Sequence, residues 1–106
     1  MKNIIRIYVS GKITGDRFYR KKFYNAYDQL KAAGFIIVEL PMHAVPRSKG
    51  WLNDMREALR LMLKCDAVAM LPDWEESKGS KIERQLALDL GIPVKPLEEW
   101  LKGAEK

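Results

Sequence analysis

Residues 65–91 read CDAVAMLPDWEESKGSKIERQLALDLG, and this stretch decides the fold. Ala67 to Leu71 is an unbroken apolar run, which suits a strand covered on both faces. Pro72 to Gly79 is a polar loop carrying Asp73, Trp74, Glu75, Glu76, Ser77 and Lys78. A helix is expected to open near Ser80 and to stop at Gly91, a residue suited to the left-handed position after a helix. A buried strand, a loop and a helix in that order make half of a parallel βαβ unit.

The rest of the chain repeats the alternation. Ile4 to Val9 is a first strand, running into Ser10-Gly11-Lys12-Ile13-Thr14-Gly15. From Arg17 to Ala33, Phe23, Ala26, Leu30 and Ala33 recur at helical spacing. Asp16 stands where a cap is wanted and Gly34 ends the run. On this helix Arg20, Lys21, Asp28 and Lys31 form a solvated face, and Tyr19, Tyr24 and Tyr27 read as packing. Phe35 to Leu40 is a second strand, closed by Pro41 and followed by the loop PMHAVPRSKG. Trp51 to Lys64 is a second helix with a stripe of Leu52, Met55, Leu59 and Met62. Ile92-Pro93-Val94 is a short fourth strand, Pro96 to Lys102 a last helix, and residues 103–106 a frayed end.

This order predicts one domain over residues 1–106 with a three-layer α/β/α, flavodoxin-like (Rossmann-like) fold. Its four-stranded parallel sheet has right-handed crossovers and strand order 2-1-3-4. Ligands of such sheets bind beyond the carboxyl ends of the strands, at the switch point between the first and third. Tyr8 to Gly11 then lies beside Asp73 to Glu83. Asp66, at the other end of its strand, reads as structural.

Composition narrows the function. The chain has 106 residues, 47% of them hydrophobic and 31% charged, as expected of a folding domain. Cys65 is the lone cysteine; it can form no internal disulfide, and a reducing cytoplasm is the simpler location. The apolar run at the start is too short for a signal peptide, and no stretch reaches the length of a membrane span. A net charge of +5 is mild for nucleic-acid binding, which shows a denser basic face, so nucleic acid is an unlikely partner here. The same charge suits a small phosphate-bearing molecule. His43, the one histidine, has no cysteine or acidic neighbours in sequence that would make a metal site. Neither metal nor cofactor is expected.

Motif spacing excludes two common phosphate loops. Ser10 to Gly15 lacks the GxxxxGK[ST] spacing of a P-loop and is not GxGxxG. Glu83 has two physical readings. In one, Ser80 caps the helix and Glu83 folds back to the Ser80 amide as a capping box; spacing alone favours this. In the other, Glu83 projects into the crevice over Gly79, which removes a side chain and admits a sugar ring. A carboxylate there attacks an anomeric carbon. Asp54 is well placed near a helix N-terminus on electrostatic grounds alone.

The residues Ile7-Tyr8-Val9-Ser10-Gly11-Lys12-Ile13-Thr14-Gly15 resemble the first strand and loop of the nucleoside 2-deoxyribosyltransferase-like superfamily. Ser77-Lys78-Gly79-Ser80-Lys81-Ile82-Glu83, with Ala87 and Leu90-Gly91, resembles its nucleophile motif. Trp51, Met55-Arg56, Cys65-Asp66 and Leu71 to Glu75 are similar to a branch of small, uncharacterised phage and bacterial proteins. The resemblance implies an N-glycosidase or deoxyribosyltransferase acting on a deoxynucleoside or its 5′-monophosphate. Glu83 would form the covalent glycosyl intermediate, and Tyr8 would lie near the sugar. Asp54 is the nearest candidate for helping the base leave, one helical turn earlier than the family's spacing. Ser77 replaces an aspartate of the transferases, as in the related 2′-deoxynucleoside 5′-monophosphate N-glycosidases, so a nucleotide fits better than a free nucleoside. Substrate contacts would come from Ser10, Gly11, Lys12, Asp73, Ser77, Gly79 and Ser80, and the protein would form a homodimer. The alternative is a nucleotide-binding module without chemistry.

Overall fold

The computed structural model describes residue 4 and residues 6–104. The elements run β1 (Arg6–Ser10), α1 (Tyr19–Ala32), β2 (Ile37–Glu39), α2 (Pro41–Ala44), α3 (Trp51–Met62), β3 (Ala67–Met70), a 3₁₀ turn (Trp74–Glu76), α4 (Lys78–Leu90), β4 (Val94–Pro96) and α5 (Leu97–Ala104). The four strands form one parallel sheet in the order β2-β1-β3-β4, the expected three-layer, flavodoxin-like arrangement.

Strand periodicity separates the two faces of the sheet. Ile7 and Val9 point into one core with Phe23, Ala26 and Leu30 of α1 and Trp100 of α5. Tyr8 points the other way, into a second core with Met62 of α3, Val68 and Met70 of β3, and Ala87 of α4. Trp100 also donates its indole N–H to the Val68 carbonyl at 2.9 Å, tying α5 to β3. Since successive side chains alternate, Ser10 shares the face of Tyr8. Two polar groups of β1 thus look toward α4.

Several element ends differ from expectation, each for a local reason. α1 starts at Tyr19, not Arg17, and Asp16 does not cap it. The Asp16 carboxylate instead accepts the Phe18 N–H at 2.9 Å and the Lys22 ammonium at 2.6 Å. β2 is confined to three residues, because Pro41 at the first turn of α2 opens a short helix where a plain loop was expected. β4 falls two residues later than expected. Its Pro96, which has no N–H to donate, is tolerated because β4 is an edge strand. Residues 103–104 are helical, while Ile5 of the expected first strand and residues 105–106 lie outside the described residues. On α3, Leu52 is exposed rather than part of the buried stripe, which is carried by Ala58 and Met62.

The decisive correction concerns α4. It begins at Lys78, with Ser77 as the N-cap: the Ser77 hydroxyl accepts the Ser80 N–H at 3.1 Å. Ser80 is therefore not the cap, and Glu83 lies about a turn and a half inside the helix, out of reach of a capping box. Ser80, Glu83 and Ala87 recur at helical spacing on the buried face. Gly91 ends the helix in the left-handed conformation, φ 80°, as expected.

Among the described residues no helix is long and apolar enough to cross a membrane.

Candidate functional site

Glu83 is 4% exposed and both its carboxylate oxygens are engaged from β1. The Tyr8 hydroxyl donates to Oε2 at 2.7 Å and the Ser10 hydroxyl donates to Oε1 at 2.6 Å. Tyr8 and Ser10 are two residues apart on one strand face, about 7 Å along the chain, so they grip the carboxylate from two sides. The Ser10 and Ser80 hydroxyls are 3.0 Å apart. A hydroxyl has one proton; with that of Ser10 committed to Glu83, Ser80 donates to Ser10. The result is a chain of four side chains joining β1 to α4 through the second core.

Electrostatics give this carboxyl an unusual state. Burial pushes Glu83 up to about 7, against the lowering effect of the Ser10 and Tyr8 hydrogen bonds. Burial, and then the charge of Glu83, push the Tyr8 phenol well above its ordinary value, so Tyr8 stays a donor. A carboxyl poised near neutrality can act as nucleophile or as proton carrier.

Glu83 forms part of the wall of a cavity of about 650 Å³ at the carboxyl ends of the strands, where the switch point was expected. Gly11 follows β1, Pro41 and Met42 follow β2, and Ser77, Gly79 and Ser80 follow β3. Asp54 and Met55 of α3 close one side. A cavity of this size is ample for a nucleotide-sized ligand.

The two glycines have a tighter role than leaving a loop open. A Cβ at Gly11 would stand 2.6 Å from Leu71 Cδ1, so Gly11 lets β1 lead out past the end of β3. A Cβ at Gly79 would meet the Met55 sulfur at 2.8 Å. Gly79 thus seats α4 against α3, and what lies nearest to it is Met55 rather than open space for a sugar.

The remaining expected residues divide. Asp54 lines the cavity, but its carboxylate accepts the Ser48 hydroxyl at 2.6 Å and the Lys49 N–H at 3.0 Å. Those bonds, that of Ser48 foremost, hold its carboxyl below the usual range, so it is ionised at neutral pH. Lys12 and Asp73 do not line the cavity. The Lys12 ammonium pairs with Glu76 at 3.1 Å, its N–H donates to Asp73 at 3.0 Å, and Asp73 also pairs with Lys22. Tyr8 and Ser10 lie behind Glu83 rather than on the cavity wall.

Other cavity residues were not singled out from sequence as site residues. Tyr19 and Arg20, read as packing and solvated, face the cavity, with the Arg20 guanidinium 5.2 Å from the Tyr19 ring centroid. Trp51 also lines it, beneath the Lys78 ammonium at 4.5 Å. The signal for these was positional: both aromatics lie where connections after a strand enter a helix. His43 stays outside the cavity, with Nδ1 2.9 Å from Glu39. Cys65 is buried, and its thiol is pushed up to about 12, chiefly by desolvation. Among the described residues no group of three or more His, Cys, Asp or Glu is placed to hold a metal ion.

The fold, with its cavity beyond the carboxyl ends of the strands, places the chain among open-sheet α/β proteins. Residues 5–96 match the family described as a domain of unknown function, DUF4406, and the chain belongs to that family. No curated protein matches it.

Proposed function

We propose that this protein cleaves or transfers the N-glycosidic bond of a (deoxy)nucleoside 5′-monophosphate or nucleoside, through a covalent glycosyl–glutamate intermediate on Glu83. The observation that carries the reading is the Glu83 carboxylate: buried, gripped by Tyr8 and Ser10, and facing a cavity at the switch point. The likeness of the segments around Tyr8 and Glu83 to the nucleoside 2-deoxyribosyltransferase-like superfamily supports it.

In the first step an ionised Glu83 oxygen attacks the anomeric carbon, the C–N bond breaks, and the base departs with the bonding pair. In the second, water or another base attacks the same carbon and releases Glu83. The Tyr8 and Ser10 hydrogen bonds hold the carboxylate in one orientation and favour its ionised form. Asp54 is ionised and therefore does not donate the proton the leaving base needs; in this reading it orients substrate, and solvent supplies the proton. Ser77 and Lys78 both line the cavity, and a hydroxyl and an ammonium suit a phosphate better than a carboxylate would.

The location we assign is the cytoplasm, supported by a lone, buried, unpaired Cys65. A homodimer is also part of the proposal. It is supported by the exposed Leu52 and Leu63 of the α3 region and Ile82 and Leu90 of α4, apolar surface that a second copy would cover.

A second reading has its own observation. Both oxygens of Asp54 are turned to the segment before α3, so the acid expected to help the base leave is committed elsewhere. On that ground the cavity could serve binding alone, as a sensor or a sequestering protein.

The test is base release from a panel of deoxynucleosides and their 5′-monophosphates, with and without an acceptor base. The expected result is release by the native protein and none by Glu83→Gln. Binding without release in every case favours the binding module, and equal release by Glu83→Gln contradicts the proposal.

A further inference from the structure

We infer that Lys22 is a positioning residue that joins two adjoining loops of the cavity wall, and that ligand affinity depends on this joint. The inference deepens the proposed function, because its kinetic test rests on that reading; its structural test does not.

One wall is made by the loop after β1, through Ile13 and Thr14, and another by the segment after β3, through Glu76, Ser77 and Lys78. Each is a connection outside the sheet, and strand pairing fixes only its starting end. Lys22 lies in the first turns of α1, next to Phe23, which is fully buried in the first core. The base of the Lys22 side chain is therefore fixed by packing.

Its ammonium has three hydrogens and three acceptors. It donates to the Lys12 carbonyl at 2.7 Å, to Asp16 Oδ2 at 2.6 Å and to Asp73 Oδ2. Lys12 and Asp16 belong to the first loop, and Asp73 opens the second. Asp73 completes the joint by accepting the Lys12 N–H at 3.0 Å through its other oxygen. Asp16 folds its own loop, its N–H donating to the Ile13 carbonyl at 3.1 Å.

The joint differs from an ordinary surface pair. The side chains of Lys22, Asp16 and Asp73 are each 23% exposed, whereas Arg60 and Glu57 are 65% and 41% exposed. An exposed pair of that kind contributes about 0–1 kcal/mol and is screened by salt. A partly buried ammonium with every hydrogen placed is a stronger constraint. It also explains why Lys12 and Asp73 stay off the cavity wall: both are committed to holding the loops together.

The experiment is residue-resolved amide hydrogen exchange on the full chain, comparing native protein with Lys22→Met, Asp73→Asn and, as control, the exposed neighbour Lys21→Met. Both joint variants are expected to accelerate exchange about tenfold at residues 12–15 and 76–78, with the strands Arg6–Ser10 and Ala67–Met70 unchanged and the control silent. Unchanged loops, or acceleration spread evenly through loops and strands, would overturn the inference. Asp73→Asn keeps an acceptor for the Lys12 N–H, so it reads the joint even where Lys22→Met folds poorly. With a turned-over nucleotide, Lys22→Met should raise KM about tenfold and leave kcat within about threefold; a fall in kcat at constant KM contradicts the joint's role in binding. If the native protein turns over no nucleotide, the proposed chemistry fails and the exchange pattern still decides on Lys22.

Discussion

Tyr8 and Glu83 stand 75 residues apart in the chain, and the phenol donates to the carboxylate at 2.7 Å where the second core meets the cavity. The sequence puts Tyr8 on the α4-facing side of β1 by strand alternation and Glu83 on the sheet-facing side of α4 by helical spacing. Neither placement depends on a loop. The pair is therefore as rigid as the sheet–helix packing that carries it, a sound base for a reacting group.

Removing the phenol hydroxyl tests that pair. Tyr8→Phe leaves Glu83 Oε2 buried without its donor, at a cost of about 1–3 kcal/mol in denaturant unfolding at neutral pH. It also removes a bond that favours the ionised form, so Glu83 moves above about 7. Titration of the Glu83 carboxyl carbon by NMR should show the midpoint moving up. If the reaction runs through ionised Glu83, the rising limb of its pH–rate profile moves to higher pH in step.

Stability should depend on pH through Glu83. Its folded-state value of about 7 lies above the ordinary 4.5, so between these the folded protein binds the proton more tightly than the unfolded chain. The resulting stabilisation is fully present below about 4.5, falls as pH rises through 7, and is then gone; it amounts to about 3 kcal/mol. Comparing native protein with Glu83→Gln isolates it. Gln is isosteric, and the Ser10 and Tyr8 hydroxyls can rotate to accept its N–H. The stability of the native protein relative to Glu83→Gln should fall by that amount from pH 4.5 to above 7. A pH-independent difference would mean that Glu83 titrates normally.

Two glycine substitutions should differ in kind. Gly11→Ala places a Cβ against Leu71 Cβ and Cδ1, at 2.9 and 2.6 Å, where β1 and β3 emerge side by side. Neither strand can retreat, and a loss of about 1–3 kcal/mol is expected. Gly79→Ala meets the Met55 sulfur at 2.8 Å, near the end of a flexible side chain that can swing aside. Its stability cost should be smaller, and its main effect a change in cavity shape read as altered ligand affinity. Denaturant unfolding of both variants checks the ranking.

Cys65 should be chemically silent. Its thiol is pushed up to about 12 and buried under α3 and α4 residues, and the thiolate is the reactive form. A thiol reagent at neutral pH should label the native protein only at the rate of unfolding. Fast labelling of folded protein would show the second core to be open.

Much of the fold was legible because periodicity carried it. The apolar run Ala67–Leu71 and the alternation of strands and helices suffice for the order β2-β1-β3-β4. Of the candidate site, the facing of Tyr8 and Ser10 toward Glu83 follows from strand alternation and helical spacing, whereas Ser10, expected to touch substrate, is buried behind Glu83. The capping-box reading failed on one local fact: Ser77, not Ser80, is the N-cap, its hydroxyl accepting the Ser80 N–H. Both are serines close to a helix start, and spacing to Glu83 fits the wrong one. Lys12 and Asp73 looked free as isolated charges, since their partners Glu76 and Lys22 lie 64 and 51 residues away, beyond any local pattern. Arg20 and Tyr19 were read from helix faces, and the cavity mouth that they border depends on where α2 and α3 sit.

The most direct measurement is intact-protein and peptide mass spectrometry of protein acid-quenched during turnover of a released-base substrate. The account predicts a mass increase equal to one glycosyl, or glycosyl-phosphate, group. It should map to the peptide containing Glu83 and be absent from Glu83→Gln. Turnover without any adduct on Glu83, or turnover by Glu83→Gln at the native rate, would contradict it.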